Sequence, residues 1–184
     1  ILMMSEVVNQ DELTALIEND IILTIGSLEE RQKVEEKALE LRKQARAHIK
    51  IDTGFSRYGF LWNDEDLFKA VKSSDNIKVE GCFTHFSKAL DETWTLHQFT
   101  RFKNLIPDIK RINPEIKLHC CNSTAFLKYP DMWLDYARLG SCLQGRVLDS
   151  TLGLRKVGIL KAEIITIKYV RKGYNISYSN EYTA

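Results

Sequence analysis

Apolar, strand-like runs alternate with segments whose apolar residues recur at helical spacing, and this alternation constrains the chain more than any other feature. Residues 21–25 form a short apolar run closed by Gly26. Ser27-Leu28-Glu29-Glu30 follows, a hydroxyl acceptor with a carboxylate three residues on, which is the pattern of a capping box. Upstream, Asn9 is placed to cap a helix with Leu13, Leu16 and Ile17 on one face, so residues 1–4 read as the strand before it. Residues 45–51, 79–84, 116–120 and 136–139 continue the strand series. Between them, Asn63 is the predicted cap of a helix carrying Leu67, Phe68 and Val71. A longer helix follows with Leu96, Phe99, Phe102 and Ile106 as its stripe, a kink at Pro107 and a stop at Asn113-Pro114. Asn122-Ser123 opens a short helix through Leu127 that ends before Pro130.

Such alternation predicts parallel strands linked by helical crossovers, hence an α/β fold that is either an open doubly wound sheet or a β/α barrel. About six βα units can be read, fewer than the eight of a closed barrel. After about Thr151 the pattern changes. Residues 161–170 alternate partly with period two and lead into Lys172-Gly173-Tyr174-Asn175, a turn signal, so the start of an antiparallel β domain is expected there. The expected division is 1–150 and 151–184.

With 184 residues and 44% hydrophobic content the chain can bury one sizeable core but not two full domains. A net charge of +1 supplies no basic footprint for nucleic acid. No run approaches the about 18 apolar residues of a membrane span, and no secretion signal is visible, so a soluble, cytoplasmic protein is expected. Cys82, Cys120, Cys121 and Cys142 have neither zinc-site nor disulfide-framework spacing, so no metal is expected; three of them sit in strand-like runs, as small buried hydrophobes do.

Polar clusters follow four of the strands: Asp52-Thr53-Gly54-Phe55-Ser56-Arg57, Thr84-His85-Phe86, Asn122-Ser123 and Arg138-Leu139-Gly140-Ser141. In a β/α barrel the loops after the strands converge on one face, so these clusters describe a single site.

In sequence order, residues 48–59, His-Ile-Lys-Ile-Asp-Thr-Gly-Phe-Ser-Arg-Tyr-Gly, resemble the His-x-Lys-x-Asp-Thr-Gly-Met-x-Arg-x-Gly signature of alanine racemases. Phe83-Thr84-His85-Phe86, Cys121-Asn122-Ser123 and Ala137-Arg138-Leu139-Gly140-Ser141 resemble that family's Thr-His-Phe, Asn-Ser and Val-Arg-Pro/Ile-Gly elements, in family order. The segment 172–182 is similar to the opening of the family's second domain.

The resemblance implies a partial TIM-type barrel followed by the start of a β domain, in a homodimeric isomerase that uses pyridoxal 5'-phosphate to interconvert L- and D-alanine by two-base proton transfer. It implies a role in supplying D-alanine for the cell wall. It also places the Schiff-base lysine before Ile1 and the catalytic tyrosine after Ala184, so that the chain reads as the middle half of a racemase, inactive alone. Arg138 matches the arginine facing the pyridine nitrogen; a guanidinium only donates, so that nitrogen must accept and stay unprotonated. His85 is expected to hold Arg138 in place. Asn122, Ser123, Gly140 and Ser141 match the phosphate neighbourhood, where free N–H groups and a glycine suit an anion, although Ser123 as a plain helix cap fits as well. Arg57 matches the arginine near the substrate carboxylate. Lys50 matches a lysine that is often carbamylated, with an ordinary pair to Asp52 as the alternative; Arg138 paired with Asp135 is the corresponding alternative there. His48, His97 and His119 have no matching role. Phe55, Leu139 and Leu143-Gln144-Gly145-Arg146 depart from the family's commoner residues. They leave open another substrate such as serine or ornithine. Two competing readings stand beside the racemase: a cofactor-binding or dimerising module, and a related barrel enzyme such as a D-amino-acid aldolase or dehydratase.

Overall fold

The computed structural model describes residues 1–147, 151 and 153–184. Helix α1 (Gln10–Glu18) starts at Asn9, whose side chain accepts from the Asp11 and Glu12 N–H groups. Strand β1 (Leu23–Ile25) feeds α2 (Leu28–Leu41), where the Ser27 hydroxyl accepts from Glu30 N–H. The Glu30 carboxylate does not close the box onto Ser27. It accepts from Gly26 N–H at 2.6 Å. Then come β2 (Ala45–Asp52), the short β3 (Phe60–Leu61), α3 (Asp66–Val71), β4 (Ile77–Phe83), α4 (Glu92–Ile112), β5 (Lys117–His119) and α5 (Ser123–Lys128).

The central strands are all parallel and stand in chain order, β1-β2-β4-β5, with β3 beside the end of β2. Parallel bridges Leu2 to Ile22 and His119 to Tyr136 extend the series at both sides. A doubly wound sheet reverses its order at a switch point, whereas a barrel adds each strand beside its predecessor. The order seen is that of a partial TIM-type barrel.

The helices cover one face of this sheet. Leu23, Ile25, Ala47, Ile49, Ile51, Val79, Cys82 and Leu118 pack under Leu13 and Ile17 of α1, Val34 and Ala38 of α2, Leu67 and Val71 of α3, and Phe102 and Ile109 of α4. The pairing register puts a different set on the other face: Thr24, His48, Lys50, Phe83 and His119. A bulge makes this possible. Ala47 pairs with Val79 but His48 pairs with Gly81, so Glu80 is an extra residue, and Gly81 and Phe83 turn inward. A Cβ on Gly81 would lie 2.5 Å from the His48 ring, so glycine is required there.

Several expectations are corrected. Helix α3 begins at Asp66, not after Asn63; Asp64 accepts from Asp66 N–H, and Glu65 at the cap position makes no side-chain capping bond. Leu96 is exposed, because Thr95 and Gln98 occupy the buried line of α4 with Phe99 and Phe102. Helix α4 runs on through Pro107. Residues 1–4 and 136–139 contribute single bridges, not full strands. Residues 161–170 form no strand and are almost wholly exposed, since among the described residues no second apolar layer lies against their alternating side chains. The antiparallel pair lies later, β6 (Asn175–Ile176) with β7 (Tyr182–Thr183), beyond the predicted turn at Gly173. The boundary expected at 150/151 abuts residues 148–150, outside the described set. Among the described residues no helix is long and apolar enough to cross a membrane.

Candidate active site

The polar clusters gather at the carboxyl ends of β2, β4 and β5 and around Tyr136–Arg138. Arg138 is the centre. Its Nη1 donates to His119 Nδ1 at 2.6 Å, and Nη2 donates to the carbonyls of Thr84 (2.7 Å) and Cys120 (3.3 Å). The guanidinium also lies over the Phe83 ring, 4.9 Å from its centre. Its Nε is buried and has no partner among the described residues. Burial draws its pKa down to about 10, so it stays charged at neutral pH. Asp135 is not its partner; that carboxylate accepts from Leu118 N–H.

His85, expected to hold Arg138, stands 3.4 Å from Nη2, a long contact. The strong partner is His119. Because arginine only donates, His119 Nδ1 must accept, so its proton sits on Nε2, 2.9 Å from His48 Nδ1. His48 accepts there in turn, and the three side chains form a directed chain. Burial, with the Arg138 charge adding to it, lowers His119 to about 2 and His85 to about 4; burial also lowers His48 to about 4. All three rings are neutral near pH 7. His119 further stacks on Phe83, with centroids 4.7 Å apart. His48 and His119 were given only ordinary placement from sequence. The signal that finds them is two-residue spacing, His48 with Lys50 on β2, combined with a pairing register that sets Phe83 beside both Lys50 and His119.

Lys50 is buried between the Tyr58 and Phe83 rings, 5.7 and 5.8 Å from their centres. It makes no pair with Asp52, whose Oδ1 accepts from Gly54 and Phe55 N–H, both at 2.8 Å. Burial opposes ionisation of Asp52, yet these backbone donors hold its carboxyl below the usual range. Asp52 is thus the turn-former of the loop. Burial lowers the Lys50 ammonium to about 8, with Arg57 and Arg138 adding repulsion against the attraction of Asp52, so a sizeable neutral fraction exists at mildly basic pH. Tyr58 is braced by bonds to the Thr24 carbonyl (2.9 Å) and Glu30 (3.0 Å).

Arg57 is exposed, its guanidinium 4.2 Å from the centre of the Phe55 ring, and Phe55 meets His85 edge-on at 5.7 Å. Arg57, Lys50 and Tyr58 line one cleft of about 760 Å³ with Met3, Met4 and Glu6. On the opposite side, Asn122 caps α5 by accepting from Ala125 N–H, so the cap role expected of Ser123 belongs to Asn122. The Ser123 hydroxyl instead accepts from Gly140 N–H at 3.0 Å. Gly140 and Ser141 are exposed, and a Cβ built on Gly140 meets nothing within 4 Å, so space opens beside Gly140. Cations on one side, a donor-only guanidinium in the middle and a serine–glycine corner on the other suit an anionic, ring-bearing ligand. Among the described residues no cluster of metal-ligating side chains occurs.

Residues 1–146 match the family model described as alanine racemase, N-terminal domain. The chain is 34% identical over 181 residues to an alanine racemase of Methanococcus maripaludis, covering 93% of this chain and 48% of that protein. It is 36% identical over 181 residues to alanine racemase 2 of Oceanobacillus iheyensis, covering 94% and 46%. A solved alanine racemase structure from Clostridium difficile 630 superposes with a TM-score of 0.80 at 32% identity, over 99% of this chain and 50% of that one. The chain therefore spans about half the length of the curated relatives it matches.

Proposed function

Because this chain belongs to the alanine racemase family, we propose that the whole protein is a pyridoxal 5'-phosphate-dependent racemase interconverting L- and D-alanine. On this reading it works in the cytoplasm as a homodimer and supplies D-alanine for the cell wall, with residues 1–150 as barrel and 151–184 opening a β domain.

The observation that carries the reading is Arg138: a half-buried, charged guanidinium whose two Nη atoms are each held by an acceptor, while its Nε–H has none among the described residues. An acceptor nitrogen fits such a donor, and the open corner at Gly140 fits a phosphate. The residues present therefore suit the cofactor. When bound, pyridoxal phosphate supplies an electron-withdrawing ring that makes the substrate's α-proton removable. The chain's own residues bind and orient. Arg138 would meet the ring nitrogen and keep it unprotonated, while His119 and His85 fix the guanidinium. Ser123, Asn122 and the Gly140-Ser141 backbone would hold the phosphate. Arg57 would take the substrate carboxylate in its fork. Lys50, partly neutral, can accept carbon dioxide as a carbamate and so become an anion that steadies Arg57.

The test is racemisation of L-alanine by the whole protein, read as D-alanine formed, with L-serine and L-ornithine alongside. Arg138→Leu should lower kcat/KM for alanine by about 100-fold or more, as losing one preorganised donor does elsewhere. Full activity in that variant would sink the role of Arg138. Turnover of serine or ornithine in preference to alanine would reassign the substrate.

A further inference from the structure

Two thiols that the proposed activity leaves unused lie just beyond β5. Successive residues of an extended strand point to opposite faces. Cys120 and Cys121 do not: their Sγ atoms lie 3.9 Å apart, and both donate to the Met132 carbonyl, at 3.1 and 3.4 Å. The bend that delivers the chain from β5 to the Asn122 cap brings both side chains to one spot. Cys121, itself only 1% exposed, borders a cleft of about 170 Å³ with Phe126, Trp133 and Tyr136, and Cys120 is buried beside it. Phe126 and Trp133 are stacked there, centroids 4.7 Å apart, giving the cleft an aromatic wall. The neighbouring Cys120 and the Arg138 charge, working against burial, hold the Cys121 thiol below the ordinary range. Cys82 and Cys142, also free, lie elsewhere, on β4 and beyond Ser141.

We propose that Cys120 and Cys121 form a dithiol site for trivalent arsenicals. An arsenoxide R–As=O engages both thiols: two As–S bonds form, the As=O bond and two S–H bonds break, and the two protons leave with the oxygen as one water. No atom changes oxidation state, so no oxidant or reductant is needed. Soft sulfur suits this thiophilic centre. Two arms closing on one atom gain an effective-concentration advantage that a single thiol lacks. The inference stands independently of the cofactor reading.

Phenylarsine oxide added to the folded chain tests it, with intact mass, thiol counting and peptide mapping as readouts. One adduct per chain is expected, the four free thiols falling to two, with arsenic mapped across Cys120 and Cys121. Cys121→Ser should weaken capture by about 100-fold, the loss of a second arm, whereas Cys82→Ser should leave it unchanged. Arsenic mapped to Cys82 or Cys142, equal capture by Cys121→Ser, or reaction only after urea unfolds the chain would each overturn the proposal. Should Cys121→Ser fail to fold, mapping on the unaltered chain decides the matter.

Discussion

The two faces of the parallel sheet are built from the same strands and obey opposite rules. On the helix-covered face Ala47, Ile49 and Ile51 alternate with nothing but other apolar groups around them, and the face gains its stability from area removed from water. One residue over, His48 and Lys50 present polar atoms to a space shared with Phe83, His119 and Arg138. Lys50 is buried like its apolar neighbours, yet it has two aromatic rings around its ammonium and, among the described residues, no salt bridge. The lesson is that burial in this molecule serves two ends. One face is buried for stability, and the other holds desolvated polar groups at a cost, ready to act on something.

The largest test of that contrast pairs neighbours on β2. Ile49→Ala should cost about 2–5 kcal/mol, the usual range for truncating a buried isoleucine, read as a lowered urea midpoint. Lys50→Met should cost nothing at pH 7 and raise the midpoint, because a desolvated charge that makes no salt bridge, with Asp52 attracting it and Arg57 and Arg138 repelling it, is replaced by an apolar chain of similar length. Equal losses at the two positions would break the comparison.

A second test uses pH. His48 stays neutral in the fold down to about 4 but protonates near 6.5 when exposed. Between those values the unfolded state binds more protons, so stability must fall as pH is lowered, by up to about 1.4 kcal/mol per pH unit for this ring. Urea midpoints from pH 7 to pH 4 should show the slope, and His48→Asn should reduce it. A slope unchanged in that variant would assign the acid sensitivity to other groups.

The smallest expected effect is also the most local. In Gly81→Ala the added methyl meets the His48 ring, so the variant should lose about 1–3 kcal/mol as an overpacked site does. Its imidazole nitrogen resonances should show His119 no longer donating to His48. Unaltered resonances would mean that the bulge at Glu80, not the glycine, makes the space.

Much of this was legible beforehand. Asn9, Ser27 and Asn122 are capping residues whose side chains compete for backbone N–H groups wherever they stand, so the starts of α1, α2 and α5 follow from local chemistry. The positions of β1, β2, β4 and β5 followed from apolar runs, and the clusters after them pointed to one end of the sheet. His119 was not legible as the main partner of Arg138. That contact depends on the bridge of Tyr136 to His119, which sets residues 136–138 beside the end of β5, and no periodicity within one segment records pairing between segments. Residues 161–170 failed for the converse reason: alternation predicts a strand only where a second layer exists to receive its apolar side.

Because each central strand lies against the one synthesised just before it, every new ladder closes a loop only one crossover long. Chain entropy is then surrendered in small, similar instalments. A nascent polypeptide emerging in order can add one βα unit at a time onto an edge already formed, without waiting for distant sequence.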